Sequence, residues 1–287
     1  MNFYLWDYIR EDYVESKEQS FTEWCKKQNR IMEGDKGEYA ELIEKWQDSD
    51  FKNESKKVKN ESKYVFVLDG ILKPDEWAKQ RVKLLFVLKE AYDSSEKQKV
   101  GLNAWDEMEW ISKKTGIING KNTTWRRIYQ WTKAILEGKN YSELPKPNWD
   151  DGTLDKIAVI NIKKFNGESR SENQNLIDHA ERHSKELLRQ IELINPDVIV
   201  CGYTCWLLDI VLGKENREII RKTKSDLLKY KTRSLFKDNK KEVIVIDFWH
   251  PACIKEENSL YENLVESYKS SIREEDECSE EENTVKF

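Results

Sequence analysis

NPDVIVCG, at residues 195–202, is the stretch that indicates the fold class most directly. Asn195 and Pro196 end the helical pattern of the preceding residues. The apolar run that follows, Val198–Cys201, is short, rich in Val and Ile, and does not alternate with polar residues. Such a run is typical of a strand that is covered on both faces. A helix that leads directly into a buried strand favours an α/β layer fold.

The same pattern recurs on both sides of this stretch. Helical stretches at residues 125–135 and 176–194, with apolar residues three and four apart, separate the runs. Strands that alternate with helices predict a three-layer αβα domain around a central, mostly parallel sheet. The other apolar runs are Val65–Leu68, Leu84–Leu88, Ala158–Ile162 and Val243–Ile246.

Composition divides the chain into three segments. Residues 1–60 are polar, and the apolar residues between Tyr39 and Trp46 recur at helical spacing, which predicts a helical N-terminal extension packed on the main domain. Residues 61–273 hold all the predicted strands and form the α/β domain. Residues 274–287 carry seven acids and one lysine, which predicts an acidic, disordered tail.

The charge of the chain is unevenly distributed. The 287 residues are 38% hydrophobic and 36% charged, with a net charge of −5. Residues 1–60 carry −3 and residues 274–287 carry −6, which leaves +4 on residues 61–273. This mildly basic middle is compatible with phosphate contacts. No apolar run approaches the roughly 20 residues of a membrane helix, and the N-terminal residues lack a signal-peptide pattern. We therefore expect a cytoplasmic protein that does not bind membranes.

The cysteines and histidines do not form a recognisable metal motif. Five cysteines occur, without a C-x-x-C pair and without zinc-finger spacing, so we expect free thiols and no metal or other cofactor. His179 and His183 lie four residues apart on a predicted helix with no third ligand, and we expect them on its solvated face. No P-loop or G-x-G-x-x-G motif is present, which argues against a nucleotidase or a dinucleotide enzyme.

A carboxylate, an amide and an imidazole are placed at or near the ends of predicted strands. In chain order, Glu90 follows the second apolar run, Asn161 lies inside the third, and His250 follows the last. Because ligands of open parallel sheets bind outside the carboxyl ends of the strands, we expect these residues to meet at one site. Pro251 favours an extended conformation at His250 and fixes it at the sheet edge. Asn161 keeps a second interpretation, a structural hydrogen bond to a neighbouring loop.

Three short motifs, in order along the chain, resemble those of the uracil-DNA glycosylase superfamily. They are LLFVLKEAY at residues 84–92, VINIK at residues 159–163 and VIDFWHPA at residues 245–252. The resemblance spans Val82 to Ile254 and implies the uracil-DNA glycosylase-like αβα fold. It also implies a DNA glycosylase, which flips a base out of the stack and hydrolyses its N-glycosidic bond. One branch of the family binds an iron–sulfur cluster through four cysteines, which this chain does not present, so we expect no cluster.

The resemblance implies a role for each candidate residue. Glu90 would stabilise the positive charge of the sugar and orient or deprotonate water, His250 would stabilise the leaving base, and Asn161 would contact its Watson–Crick edge. Ile254 would lie in the loop that the family inserts into the vacated stack. Stacking on the base is expected from Tyr92, Phe165 or Trp249, and phosphate contacts from Lys89, Lys163 and Lys164.

The departures from the family bear on the substrate. The first motif lacks the Gly and Pro of the family, and Ala252 replaces the Ser of the last motif. Together with the helical N-terminal segment, the altered first motif favours a modified pyrimidine in foreign DNA, such as a hypermodified phage cytosine, over uracil in ordinary repair. Two other interpretations stay open, a non-catalytic nucleotide- or nucleic-acid-binding module on the same fold and a small-nucleotide N-glycosidase. The oligomeric state is open as well.

Overall fold

The computed structural model describes most of the α/β domain and a short piece of the N-terminal segment. The described residues are 38, 39, 41–43, 45, 46, 66–92, 104–106, 122–146, 151–167, 171–213, 217–222, 228–232 and 242–284. The predicted helical extension at 1–60 therefore lies mostly outside them, and the described residues between 38 and 46 are helical.

Strands and helices alternate along the described chain. In order they are β1 (Phe66–Leu68), β2 (Gly70–Ile71), α1 (Pro74–Ala78), β3 (Leu84–Tyr92), β4 (Ala104–Asp106), α2 (Thr123–Glu137), β5 (Ala158–Gly167), α3 (Asn173–Arg182), α4 (Ser184–Ile194), β6 (Val198–Gly202), α5 (Cys205–Leu212), β7 (Arg217–Lys222), β8 (Leu228–Thr232), β9 (Val243–Phe248) and α6 (Glu257–Thr284). Short 3₁₀ turns occur at Tyr141–Glu143 and Leu154–Lys156.

The strands form one mixed sheet whose centre is parallel. Its order is β4-β1-β5-β3-β6-β9-β8-β7, with β2 also pairing with β5. The neighbouring pairs β5–β3, β3–β6 and β6–β9 are parallel, whereas β1 and β2 pair antiparallel with β5 and β8 pairs antiparallel with β9. The prediction of a central, mostly parallel sheet is confirmed, and each of the five apolar runs contributes to a strand of it.

Helices cover both faces of this sheet, as expected for an α/β fold. One face carries α3, α4 and α5, and the opposite face carries α2 and α6. The central strands are apolar throughout because both of their faces are buried; Val198–Gly202, for example, is buried at every position. In the described part of the chain, no helix is both long and apolar enough to span a bilayer.

The described N-terminal residues pack on the α/β domain. Ile43 and Trp46 are 2% and 1% exposed and belong to the core on the α3–α5 face. The Tyr39 hydroxyl donates a hydrogen bond of 2.6 Å to the backbone carbonyl of Asp69, next to β1. The carboxylate of the same Asp69 pairs with the Lys164 ammonium at 2.6 Å, and both side chains are 1% exposed. This buried ion pair joins the β1–β2 connection to β5.

The C-terminal end differs from the sequence prediction. The acidic tail was expected to be disordered from residue 274, whereas helix α6 continues to Thr284. Glu has a high helix propensity, so a run of acids does not by itself end a helix that has already begun. Residues 285–287 lie outside the described part.

Candidate functional site

The strand order marks the carboxyl end of β3 as the edge where a ligand is expected to bind. After β3 the chain passes through β4 and α2 to β5, on one side of β3, and later crosses to β6 on the other side. In an open α/β sheet, the point at which the chain switches direction in this way is where ligands bind. Strands β3, β6 and β9 are parallel neighbours, so their carboxyl ends lie at this same edge.

At this edge the chain packs closely around Gly202, the last residue of β6. A Cβ at Gly202 would lie 2.9 Å from Leu88 Cδ2, closer than Cβ atoms approach in real structures, and 3.1 Å from Pro251 Cδ, which is a tight contact. A larger residue here would have to displace Leu88 or Pro251, where the end of β3 and the loop after β9 meet β6. The Thr204 hydroxyl adds a hydrogen bond of 2.7 Å to the backbone carbonyl of Val87.

Glu90 lies on β3, two residues beyond the Leu88 that packs against Gly202. It is opposite Lys163 of β5 in the parallel register, and the Lys163 ammonium donates to its Oε2 at 2.7 Å. The two side chains are only 6% and 13% exposed. The register of β3 against β5 shifts between Glu90 and Tyr92. Such an irregularity changes the direction of the side chains at a strand end. Here it directly follows Glu90.

His250 is fixed in one orientation by its own loop. The backbone N–H of Ala252 donates to its Nδ1 at 3.1 Å. Since Nδ1 is the acceptor, the proton of the neutral ring is on Nε2, which faces away from the loop backbone as a hydrogen-bond donor. Burial, together with the positive charge of Lys89, lowers the pKa of His250 to about 4. The imidazole is therefore neutral near pH 7.

Arg127 holds the loop that follows His250, and the sequence analysis did not single it out. This residue of α2 is 5% exposed. Its guanidinium donates to the backbone carbonyls of Pro251 at 2.8 Å, Cys253 at 2.7 Å and Lys255 at 2.7 Å. The sequence signal was its place within the apolar stripe of α2, where a charged residue requires buried partners.

Tyr203 is a second residue that the sequence analysis did not assign to the site. It has φ of 59°, a left-handed conformation that costs a bulky residue about 1–3 kcal/mol. Its backbone N–H holds it there by donating to the carbonyls of Phe248 at 2.7 Å and Cys201 at 2.9 Å. The ring is 49% exposed, and the Lys89 ammonium lies 4.7 Å from its centroid. The signal for it was an aromatic residue directly after the glycine that ends a buried strand.

Exposed apolar side chains are concentrated at this edge. Among the residues that the structure describes, the large hydrophobic side chains that are exposed are Tyr203, Trp249 and Ile254, at 49%, 36% and 104%. Trp249 directly follows β9, and its ring centroid lies 4.1 Å from the Lys255 ammonium. Ile254 extends into solvent from the loop that Arg127 holds. Exposed large apolar side chains that occur at one edge of a sheet indicate a binding surface.

The structure places three predicted site residues away from this surface. Asn161 is fully buried, and its Nδ2 donates to the Asp69 carboxylate at 3.3 Å, which agrees with its structural interpretation and not with contact to a base. Lys164 is held by Asp69 and cannot reach a phosphate. Phe165 is 2% exposed and packs against His179, with ring centroids 5.9 Å apart, so it is a core residue and not a stacking surface.

The two histidines expected on a helix face are also placed by the structure. His179 and His183, expected on a solvated helix face, are each 5% exposed, so that expectation is wrong. The helix turns them toward the sheet, where His179 contacts Phe165 and His183 contacts Trp46. Tyr92 is the last residue of β3, and its side chain lies outside the described part.

The thiols and acids at the site do not form a metal centre. No group of three or more His, Cys, Asp or Glu suited to a metal ion occurs within the described ranges. Cys201 and Cys205 are buried and reduced, and burial raises the pKa of the Cys201 thiol well above its usual value. Such thiols behave as packed apolar groups.

Comparison with models of known protein families gives no match, and comparison with curated proteins gives none either. Support for a function therefore comes from the residues of the chain itself.

Proposed function

We propose that this protein is a DNA N-glycosylase with Glu90 and His250 as its catalytic residues. One observation carries the proposal. Glu90, on β3, and the neutral His250, two residues after β9, stand at the same edge of the sheet, on either side of β6. Two inter-strand spacings separate these strand ends by roughly 10 Å, which is enough to admit a nucleoside between a carboxylate and a hydrogen-bond donor.

The chemistry follows from these two groups. The C1′–N bond breaks, its electron pair goes to the base, and the sugar gains positive charge, which the Glu90 carboxylate stabilises through Oε1 while Lys163 holds Oε2. The Nε2–H of His250 donates to the oxygen of the leaving base anion. Water then attacks C1′ and gives a proton to Glu90. The base anion takes up a proton from solvent and Glu90 returns its proton to solvent, which leaves an abasic sugar and the free base. Neither residue needs a metal ion for these steps.

The surroundings of the two residues support a nucleic-acid substrate. The exposed aromatic rings of Tyr203 and Trp249 can stack on bases, and Lys89 and Lys255 beside them can meet phosphates. Ile254, exposed on the loop after His250, is placed to enter a vacated stack. The order of the three motifs along the chain supports a uracil-DNA glycosylase-like fold, and their substitutions favour a modified pyrimidine of foreign DNA over uracil.

The test is a panel of DNA substrates read for alkali-labile abasic sites. The panel holds uracil-containing, hypoxanthine-containing, G·T-mismatched and hypermodified-cytosine phage DNA. We expect the wild-type protein to produce abasic sites in at least one substrate, most strongly in the hypermodified DNA. Glu90→Gln should reduce the single-turnover rate by about 10²–10⁴-fold, since it removes the charge that the sugar cation requires.

Glu181→Gln is the matched control for this substitution. Glu181 is exposed on α3, on the helical layer away from the α2–α6 face, and its loss should leave the rate unchanged. A wild-type protein that cleaves no substrate of the panel, or a Glu90→Gln variant with the wild-type rate, contradicts the proposal.

A non-catalytic nucleic-acid-binding module is the second candidate, and one observation favours it. The Glu90 side chain is 6% exposed and forms an ion pair with Lys163. A glutamate that only stabilises the fold would have the same burial and the same partner. In that case both the wild type and Glu90→Gln should bind DNA without forming abasic sites. The same panel, with binding measured by fluorescence anisotropy, separates the two candidates.

A further inference from the structure

Two exposed aromatic residues lie side by side at the carboxyl ends of β6 and β9. Gly202 and Phe248 are partners in the parallel register, so the residues that follow them, Tyr203 and Trp249, leave the sheet from neighbouring positions. The hydrogen bond of 2.7 Å from the Tyr203 N–H to the Phe248 carbonyl ties the two strand ends together. Both rings therefore project from a rigid part of the sheet.

Each of the two rings is accompanied by a lysine. The Lys89 ammonium lies 4.7 Å from the Tyr203 centroid, and the Lys255 ammonium lies 4.1 Å from the Trp249 centroid. Burial lowers the pKa of Lys89 because it disfavours the charged ammonium. An anionic partner such as a phosphate would stabilise that charged form. Lys89 is on β3 and Lys255 is on the loop after β9, so each ring has a cation from a different part of the chain beside it.

We infer that this platform, defined as Lys89, Tyr203, Trp249 and Lys255, binds a single-stranded segment of DNA by stacking. Aromatic rings recognise bases of any sequence through their π faces, and the adjacent ammonium groups contact the backbone phosphates. A paired duplex hides the faces of its bases within the stack and offers only phosphates to such a surface. The platform is therefore suited to unpaired bases next to the flipped base of the proposed reaction.

The conformation of Tyr203 agrees with a role in binding. A bulky residue at φ of 59° persists only where the surroundings hold it, and strained residues of this kind cluster at functional sites. Glycine or asparagine would occupy this conformation at lower cost, yet neither would present a ring to a base. The choice of DNA as the partner rests on the proposed function, but the stacking itself does not depend on catalysis.

Binding of three fluorescent 15-nucleotide probes tests the inference by anisotropy. They are oligothymidine, the same strand with abasic tetrahydrofuran at every position, and a duplex of mixed sequence. We expect oligothymidine to bind at least tenfold more tightly than the other two. Tyr203→Ala and Trp249→Ala should each weaken its binding by about 5- to 100-fold, because each removes one stacking surface.

The controls separate stacking from folding and from catalysis. Tyr203→Phe and Trp249→Phe keep a ring and should bind oligothymidine within about threefold of the wild type, and the thermal midpoint of each alanine variant verifies folding. Equal affinity for the abasic and oligothymidine strands, or wild-type affinity in both alanine variants, would overturn the inference. Oligouridine RNA of the same length is measured as a fourth probe, and tighter binding of it than of oligothymidine would also overturn the inference. Binding as expected without abasic-site formation would refute the proposed function and leave the platform in place.

Discussion

At the scale of single residues, His250 owes its chemistry to one backbone hydrogen bond and to its surroundings. The Ala252 amide fixes Nδ1 as an acceptor, which leaves Nε2–H as the donor. Burial and the Lys89 charge lower the pKa to about 4, far below the ordinary value of 6.5. A neutral imidazole can then donate to a developing anion over the whole physiological pH range, without a change in its own charge.

Titration by NMR tests this state directly, because the chain contains only three histidines. We expect the Cε1–H resonance of His250, assigned by its loss in His250→Gln, to stay constant from pH 8 to pH 5.5 and to move only as the pH approaches 4. The physical reason is that the buried site disfavours the imidazolium. A midpoint near 6.5 in the folded protein would contradict this account of His250.

The sequence predicted the positions of Glu90 and His250 at the sheet edge better than the surroundings of Asn161, Lys164 and Phe165. Glu90 and His250 were recognisable because a polar residue that follows a buried strand must project at the sheet edge. Asn161, Lys164 and Phe165 were placed wrongly because the pattern of β5 does not reveal its buried partners. In particular, Asp69 lies in a different part of the chain, and nothing local shows that its carboxylate neutralises Lys164 and accepts from Asn161.

At the scale of elements, helix α2 determines the shape of the loop between β9 and α6. Arg127 donates to three carbonyls of that loop, and the neighbouring Arg126 pairs with Glu257, at the start of α6, at 2.8 Å. A loop whose backbone is bonded to a buried guanidinium cannot move independently of the helix. His250 and Ile254 therefore lie in a segment that is held in place before any ligand binds, as their proposed roles would require.

Arg127→Met should destabilise the protein by about 2–4 kcal/mol, since it leaves the backbone carbonyls of Pro251, Cys253 and Lys255 without their charged donor. Urea denaturation measures the loss, and hydrogen exchange should show faster exchange at residues 250–255. Arg126→Met is the matched control: its side chain is 31% exposed, so the loss of its ion pair should cost less than about 1 kcal/mol. Equal effects of the two substitutions would show that Arg127 does not hold the loop.

The edge elements were less predictable than the central ones. Strands β7 (REIIRK) and β8 (LKYKT) carry charges at several positions and lack the continuous apolar run that identifies a buried strand. They pair with each other and with β9 at the side of the sheet. Charged side chains are common on such edge strands because they discourage pairing with other chains. They are strands because β8 pairs with β9 and β7 pairs with β8, and not because of a local apolar pattern.

At the scale of the whole molecule, stability is coupled to pH through buried histidine. Burial, with a further contribution from the Lys163 charge, lowers the pKa of His179 from 6.5 to about 3. The unfolded chain thus binds more protons than the folded chain between these two pH values. The contribution of neutral His179 is fully present above about pH 6.5 and is lost progressively as the pH falls toward 3.

His179→Leu should reduce this dependence. Between pH 7 and pH 4.5 we expect the wild-type free energy of unfolding to fall by on the order of 3 kcal/mol more than that of the variant, measured by urea denaturation at each pH. Gln174→Leu, on the exposed side of the same helix, is the control and should follow the wild-type curve. A His179→Leu variant with unchanged pH dependence would indicate that His179 does not lose its proton on folding.

The sheet places Glu90 and His250, which are 160 residues apart in the chain, at the same edge, so the proposed function depends on both residues at once. A double-mutant cycle of the single-turnover rate of base release, with Glu90→Gln, His250→Ala and the double variant, tests it most directly. If the two residues act on one nucleobase, the double variant should be little slower than the slower single variant, because groups that act as a unit lose their effect together. A shared catalytic centre would be contradicted if the rate reduction of the double variant equalled the product of the two single reductions, or if the single variants kept the wild-type rate.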